Sequence, residues 1–384
     1  MKKIIYMYFG TMTENLYKAL CIDAFIKNNI LVELIDLNEL FFNYQPSKVE
    51  KYDIKSIQTY EELEKYLSIN NDGDNLFNIQ FLYETRFFKF FRLITKYKCN
   101  VSIFEIGTLP NIGTKENFIE RIKMPLRTSR RFLEIIFDKI IYRVGLVNID
   151  YKVNFVAGKL AYDIAKYRKP KYIININYID YEKFKQMKVD HSSMRYLKPE
   201  KKYFVFLDIY LIGHEDFKFT NKTDKFDNLR YLNRLNSFFD KLEKQFNVDI
   251  IIAAHPKSNY IGNEFEHRKI IKNMTDELVY SADLIISHHS TSISFAILNK
   301  LPIIFLSTNN IYKTYTNIFL LTKKISSILG MPFINLDDDY SIVLEDIDKE
   351  KYNIYKYNYL TSKESEMYTN ERIIKQWLKS SNIF

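Results

Sequence analysis

Val248-Asp249-Ile250-Ile251-Ile252-Ala253-Ala254-His255-Pro256-Lys257-Ser258 is followed, after a polar stretch, by Ala282-Asp283-Leu284-Ile285-Ile286-Ser287-His288-His289-Ser290-Thr291-Ser292-Ile293-Ser294-Phe295-Ala296-Ile297-Leu298, and then by Leu301-Pro302-Ile303-Ile304-Phe305-Leu306-Ser307. Three short, continuously apolar, β-branched runs are separated by connections long enough for a helix. Runs of this kind mark parallel strands buried on both faces. The first run ends in His-Pro-Lys, and the second in a hydroxyl cluster that opens an apolar helix. Both clusters are therefore expected at the carboxyl ends of parallel strands, where open α/β sheets bind ligands. Hydroxyls, unpaired N–H groups and a positive dipole end at one helix N-terminus suit a phosphate. The stretch predicts an α/β chain that holds a nucleotide diphosphate or monophosphate ester.

The chain has 384 residues, room for two domains of ordinary size. Lys and Arg number 56 against 47 Asp and Glu, a net charge of +9. Nine glycines and eight prolines stand against 30 Tyr and 30 Phe. An AT-rich gene would produce such a bias by itself, so it carries no functional argument. Cys21 and Cys99 are the only cysteines, which points to a reducing compartment and excludes a disulfide framework or a cysteine-built metal site. The apolar opening Lys3 to Phe9 is about one strand long and ends in a turn signal without a small-residue cleavage site. It reads as a first buried strand and not as a secretory signal. No run of about 18 apolar residues is present to span a membrane. A cytoplasmic protein is expected, with no nucleic-acid partner.

A strand from Lys3 to Phe9, a helix from Leu16 to Lys27 and a strand from Ile30 to Ile35 give a β-loop-α-β opening. Its loop carries one glycine, so it is not a dinucleotide fingerprint; Gly10 and Thr11 there are further candidate site residues. Residues 45–75 read as polar and irregular. Strands are expected at Leu76 to Leu82 and Val101 to Phe104, the latter ending in Glu105-Ile106-Gly107. Residues 116–144 interleave Arg121, Lys123, Arg127, Arg130, Arg131, Lys139 and Arg143 with Ile, Leu and Phe. That is a basic amphipathic segment, read either as a surface helix facing the core or as a peripheral contact with an anionic inner membrane. A strand at Tyr172 to Ile176 closes an N-terminal domain of residues 1–180. The charged stretch 181–201 reads as a linker, and residues 202–345 as a second Rossmann-like domain. Residues 346–384 read as a helical segment folding back on the first domain.

His255 sits where Pro256 blocks continuation of the strand, so the chain must turn out at the ligand edge. Lys257 and Ser258 add a cation and a hydroxyl within reach. Together they suit a phosphate that departs with the nucleotide. A single hydroxyl of Ser290, Thr291 and Ser292 would serve as a helix cap; the cluster exceeds that need. Ser287 and His289 are candidates beside it. His288-His289 lacks a carboxylate or cysteine at ligand spacing, so no metal site is expected. Glu105 is the candidate base. Asp208, His214 and Asp216, with Glu215, compete with it from the second domain, either contacting the donor or bracing the loop. No Gly-x-Ser-x-Gly elbow and no P-loop is present.

His255-Pro256 followed 35 residues later by Ser290-Thr291-Ser292 resembles the arrangement of bacterial sialyltransferases, polysialyltransferases and related capsule transferases. Glu105-Ile106-Gly107 is similar to their acidic-acidic-glycine motif, with Ile106 in place of the second acid. The resemblance implies two facing Rossmann-like domains (GT-B), a CMP-activated donor and no cofactor or metal. It implies that His255, Ser290 and Thr291 hold the CMP phosphate and that Glu105 deprotonates the acceptor hydroxyl. Teichoic-acid polymerases and nucleotide-sugar 2-epimerases carry similar His-Pro and Ser-rich pieces, so these pieces do not fix the donor. The expected activity is inverting transfer of a nonulosonic acid or Kdo from a CMP-sugar to a glycan or lipid-linked glycan acceptor, in capsule, lipooligosaccharide or O-antigen synthesis. The alternatives are another nucleotide-sugar or CDP-polyol transferase, a non-catalytic nucleotide- or carbohydrate-binding protein with a degenerate transferase fold, and a basic membrane-surface scaffold.

Overall fold

The computed structural model describes residues 1–44, 52–107, 109–110, 141, 144–189, 201–213 and 226–380. The chain divides into two compact units, one of Met1–Thr108, Gly113–Ile179 and Thr361–Phe384, the other of Leu109–Ile112 and Asp180–Leu360.

Strands of the first unit are β1 (Lys3–Tyr8), β2 (Leu31–Asp36), β3 (Ile54–Ser56), β4 (Asn75–Ile79), β5 (Val101–Glu105), β6 (Tyr151–Ala157) and β7 (Tyr172–Ile176). They form one sheet in the order β3-β2-β1-β4-β5-β6-β7, parallel throughout. Ile5 and Met7 face a core with Phe77, Phe87, Phe90 and Phe91 on one side of the sheet. Ile4 and Tyr6 face another with Phe25, Phe104 and Phe155 on the opposite side. This is the two-sided burial that continuous apolar runs require.

The second unit contains β8 (Tyr203–Leu207), β9 (Asp249–Ala254), β10 (Lys269–Lys272), β11 (Leu284–Ser287), β12 (Ile303–Ser307) and β13 (Phe333–Asn335). Their order is β10-β9-β8-β11-β12-β13, again all parallel. Counted from β8, that is 3-2-1-4-5-6, the doubly wound Rossmann order with its switch point between β8 and β11. The first unit repeats this order with β7 added, its switch point lying between β1 and β4. The chain is thus α/β with two Rossmann-like parallel-sheet units, the GT-B fold class.

Several local expectations need correction. The helix expected from Leu16 to Lys27 is two helices, Glu14–Ala19 and Ile22–Lys27, broken at Cys21, whose φ of 54° leaves the helical region. Residues 45–75 are not irregular throughout: β3 and a helix at Tyr60–Asn70 lie there. That helix is capped by Thr59, whose hydroxyl accepts the Glu62 N–H at 3.1 Å. The stretch read as a linker opens with a helix at Ile179–Val189, and its residues 190–200 lie outside the described residues. Of the basic stretch 116–144, only Ile141 and Val144 are described. Ile141 is buried in the core of the first unit. No described helix is long and apolar enough to cross a membrane.

The last 35 residues or so divide between the units. Helix Lys349–Tyr359 belongs to the second, where Tyr352 Oη donates to the Leu301 carbonyl at 2.9 Å. Helix Asn370–Ser380 belongs to the first and places Ile374 and Trp377 in its core. Trp377 meets Phe155 edge-on, with ring centroids 5.3 Å apart. A buried Trp replaced by Ala loses its transfer energy and leaves a cavity. Trp377→Ala should therefore destabilise this unit by about 3–5 kcal/mol, read as a lower denaturant midpoint. A loss below about 1 kcal/mol would show the helix to be peripheral to the core.

Candidate functional site

All strands of the second sheet run parallel, so their carboxyl ends share one edge. β8 and β9 register Leu207 against Ala253, β8 and β11 register Leu207 against Ser287, and β11 and β12 register Ser287 against Phe305. His255, His289 and Ser307 each lie two residues past those positions and so share one level along the strands. β9 and β11 flank β8, which sets His255 and His289 about two strand spacings apart, roughly 10 Å.

The His255 segment is a turn. Pro256 supplies the fixed φ of its second position, and Ser258 N–H closes it on the His255 carbonyl at 2.8 Å. Lys257 N–H donates to His255 Nδ1 at 3.2 Å. Nδ1 is then the acceptor of the ring, and Nε2 carries the proton of the neutral imidazole. Pro256 and Lys257 are exposed.

Asp208 holds this turn. The carboxylate is buried and accepts the His255 N–H at 3.3 Å, the Tyr260 hydroxyl at 2.6 Å and the Tyr210 N–H at 2.8 Å. The phenol of Tyr260 is pushed far up by burial and by this carboxylate. Of the two roles weighed for Asp208, donor contact or loop brace, these bonds fit the brace. His214, Glu215 and Asp216, the other candidates weighed against Glu105, lie outside the described residues.

At the end of β11 the hydroxyl cluster is partly a cap. Ser290 Oγ accepts the Ser292 N–H at 3.2 Å. The N–H groups of Ile293, Ser294 and Phe295 donate to the carbonyls of Ser290, Thr291 and Ser292 at 3.1–3.3 Å. The helix that follows spans only Ile293–Asn299. The open helix N-terminus expected for a phosphate is therefore corrected: its first-turn donors are engaged in tight local turns, and the hydroxyls of Thr291 and Ser292 outlast the capping need.

His288 is structural. It is fully buried, with Nδ1 2.7 Å from the Leu306 carbonyl and Nε2 2.8 Å from Tyr231 Oη. A carbonyl only accepts, so Nδ1 carries the proton and Nε2 takes the phenol's. Burial pulls its pKa down to about 4. His289 is likewise pulled down to about 4 by burial.

Among the described residues, Ser258 Oγ, Ser287 Oγ, Ser307 Oγ and His289 Nδ1 are buried and make no hydrogen bond. They follow or end β9, β11 and β12. Buried polar atoms are ordinarily paired; Asn154 in the first unit shares this condition, so it does not by itself mark a ligand. Ser307 escaped the sequence reasoning, although it ends an apolar strand just as Ser287 does.

Glu105 ends β5 in the first unit and is ion-paired with Arg168, both side chains largely buried. Burial pushes its carboxyl up while the guanidinium pulls it down, and the net direction is upward. Gly107 has a φ of +66°, and a Cβ there would stand 3.4 Å from the Tyr178 ring. Gly10 turns with a φ of +88°, its N–H donating to Asn38 Oδ1 at 2.8 Å, while Thr11 is exposed.

The strand orders and the polar edge of the second unit define a two-unit α/β protein of GT-B architecture. No protein-family model and no curated protein matches the chain. Among solved structures it is similar to the UDP-GlcNAc 2-epimerase of Methanocaldococcus jannaschii, at 15% identity over 98% of this chain and 99% of that one, TM-score 0.46. It is similar to the wall teichoic acid polymerase TagF at 13% identity over 99% and 89%, TM-score 0.48. A third is MurG of Acinetobacter baumannii, at 10% identity over 88% and 87%, TM-score 0.42. Likeness at this level adds nothing to what the strand orders establish.

The buried histidine yields a pH prediction. A folded pKa near 4 lies below the unfolded value of about 6.5. The stability that His288 contributes is complete above about pH 6.5 and is lost as pH falls toward 4. His288→Asn keeps a donor toward Leu306 but does not titrate. The gap in melting temperature between wild type and this variant should shrink as pH falls from 6.5 to 4. A constant gap would mean that His288 is not held neutral.

Proposed function

We propose that the chain is an inverting, metal-independent glycosyltransferase of bacterial surface polysaccharide synthesis. In this reading it transfers a nonulosonic acid or Kdo from a CMP-linked donor to a hydroxyl of a glycan or lipid-linked glycan. The observation that carries the reading is the His255 turn. Asp208 fixes its backbone and Lys257 N–H fixes its tautomer, so that Nε2–H is a donor at the carboxyl edge beside the switch point.

When the sugar–oxygen bond breaks, negative charge grows on the departing phosphate. The Nε2–H of His255 and the ammonium of Lys257 offset that charge, as a preorganised donor set does in other transfer reactions. These groups supply the electrostatic work that a divalent ion would otherwise supply. Ser258, Ser290, Thr291 and Ser292 offer hydroxyls to the same phosphate. Ser287, Ser307 and His289 are uncharged and suit the neutral polar parts of a donor. The acceptor hydroxyl must lose its proton as it attacks, and Glu105 is the proposed base: burial raises its proton affinity. The basic stretch 116–144 is the proposed contact with an anionic membrane, on the cytoplasmic face.

One observation favours a second reading. Glu105 is paired with Arg168, and a carboxylate held by a guanidinium also serves as a brace. A chain whose glutamate only braces β5 would bind a nucleotide without transfer.

The test uses CMP- and UDP-sugars with excess chelator throughout. Wild type should turn over a CMP-sugar, and His255→Ala should lower kcat by about a hundredfold or more while changing donor affinity only a few-fold. Full turnover in the variant, or activity that returns only with added metal, would contradict the mechanism. Donor binding without turnover in wild type would favour the second reading.

A further inference from the structure

Asp180 is the first residue of the second unit after the chain leaves β7, and its side chain is buried. It is hydrogen-bonded to Ser294 Oγ, on the helix that follows the hydroxyl cluster. Ser294, 1% exposed, also contacts the Thr291 carbonyl through the same Oγ at 2.9 Å. A hydroxyl has one proton. The Thr291 carbonyl only accepts, and an ionised carboxylate only accepts, so Ser294 serves both only when Asp180 brings a proton of its own.

Two arrangements follow. With Asp180 neutral, its O–H donates to Ser294 Oγ, and Ser294 donates to the Thr291 carbonyl. With Asp180 ionised, its proton has gone to solvent and the Ser294 hydroxyl turns to the carboxylate. The Thr291 carbonyl then keeps only the Ser294 N–H, 3.2 Å away.

We infer that Asp180 is a positioning residue for the Ser290–Ser292 loop, acting through Ser294 and tightening the loop when it is protonated. This rests on the proposal that the loop contacts the donor phosphate. Of the charged groups near Asp180, Lys183 on its own helix and Asp276 on helix Thr275–Tyr280 act on it directly, while Glu182, Lys185 and Lys188 share its helix and Glu277 lies buried beside Asp276. Burial dominates and Asp276 adds to it, with Ser294 and Lys183 opposing, so the carboxyl is raised to about 6. The tight arrangement is complete well below that pH and is lost as pH rises through it. A donor phosphate at the loop would favour the neutral acid, so donor binding and proton uptake are coupled.

The experiment compares wild type with Asp180→Asn, whose amide N–H donates to Ser294 Oγ at every pH. Ser294→Ala removes the relay and serves as a second variant should the first not fold. Hydrogen exchange of amides 290–296 is followed from pH 5 to 8, each rate corrected for its intrinsic pH dependence. One hydrogen bond is worth about three- to tenfold in such an equilibrium. Protection in wild type should fall by about that factor as pH rises, and stay level in the variants. Affinity for CMP, measured in parallel, should fall by a similar factor in wild type relative to Asp180→Asn. Exchange profiles that change with pH equally in wild type and variant overturn the inference. Exchange that behaves as expected in a wild type that binds neither CMP nor UDP upholds the link between Asp180 protonation and the loop and overturns the nucleotide reading.

Discussion

Among the described residues, three hydrogen bonds converge on the carboxylate of Asp208, and the geometry of the candidate site depends on them. One comes from the backbone of His255, one from the backbone of Tyr210 in the loop after β8, and one from the phenol of Tyr260. Each bond to an ionised group is worth about 1.5–3 kcal/mol, and the burial that strengthens them makes any loss costly. Parallel pairing alone would bring the ends of β8 and β9 to one edge. It would not orient an imidazole there. Asp208 fixes the backbone there, by taking the N–H of His255 next to Pro256, and the Lys257 N–H holds the ring through Nδ1.

The hydroxyl cluster after β11 illustrates competition between local and ligand bonding. Ser and Thr bond readily to nearby backbone, and Ser290 does so with Ser292. A short helix whose first amides already reach back three residues offers less to an anion than an open N-terminus would. In the proposed site, selectivity therefore leans on side chains. His255 and Lys257 are suited to charge, and the buried, uncharged Ser287, Ser307 and His289 to neutral polar groups.

Much of the fold was legible because burial on both faces leaves a plain mark. The runs at Ile250, Leu284 and Ile303 are strands within a residue or two of where the sequence puts them. The misses have physical causes. Helix Tyr60–Asn70 buries Leu63 and Leu67 fully and Tyr60 and Tyr66 only in part, so its apolar stripe is narrow; the Thr59-x-x-Glu62 cap was its clearer signal. β3 is three residues long. The break at Cys21 comes from a left-handed residue that no turn residue announces. At the site, His255, Lys257 and Ser258 stood out because they interrupt an apolar strand. The brace by Asp208, the burial of His288 against Tyr231 and Leu306, and the contact between Asp180 and Ser294 join residues 47, 57, 18 and 114 positions apart. No local pattern encodes such pairs.

The central claim is that His255 Nε2–H meets a nucleotide phosphate at the carboxyl edge of the second sheet. It is tested most directly by long-range ¹⁵N–¹H spectra of the imidazoles during titration with CMP. The chain has six histidines, and His255→Gln assigns the relevant one. The account expects the His255 Nε2 resonance to move and saturate with CMP while those of His288 hold still. Saturation of the protein by CMP with His255 unmoved would contradict it.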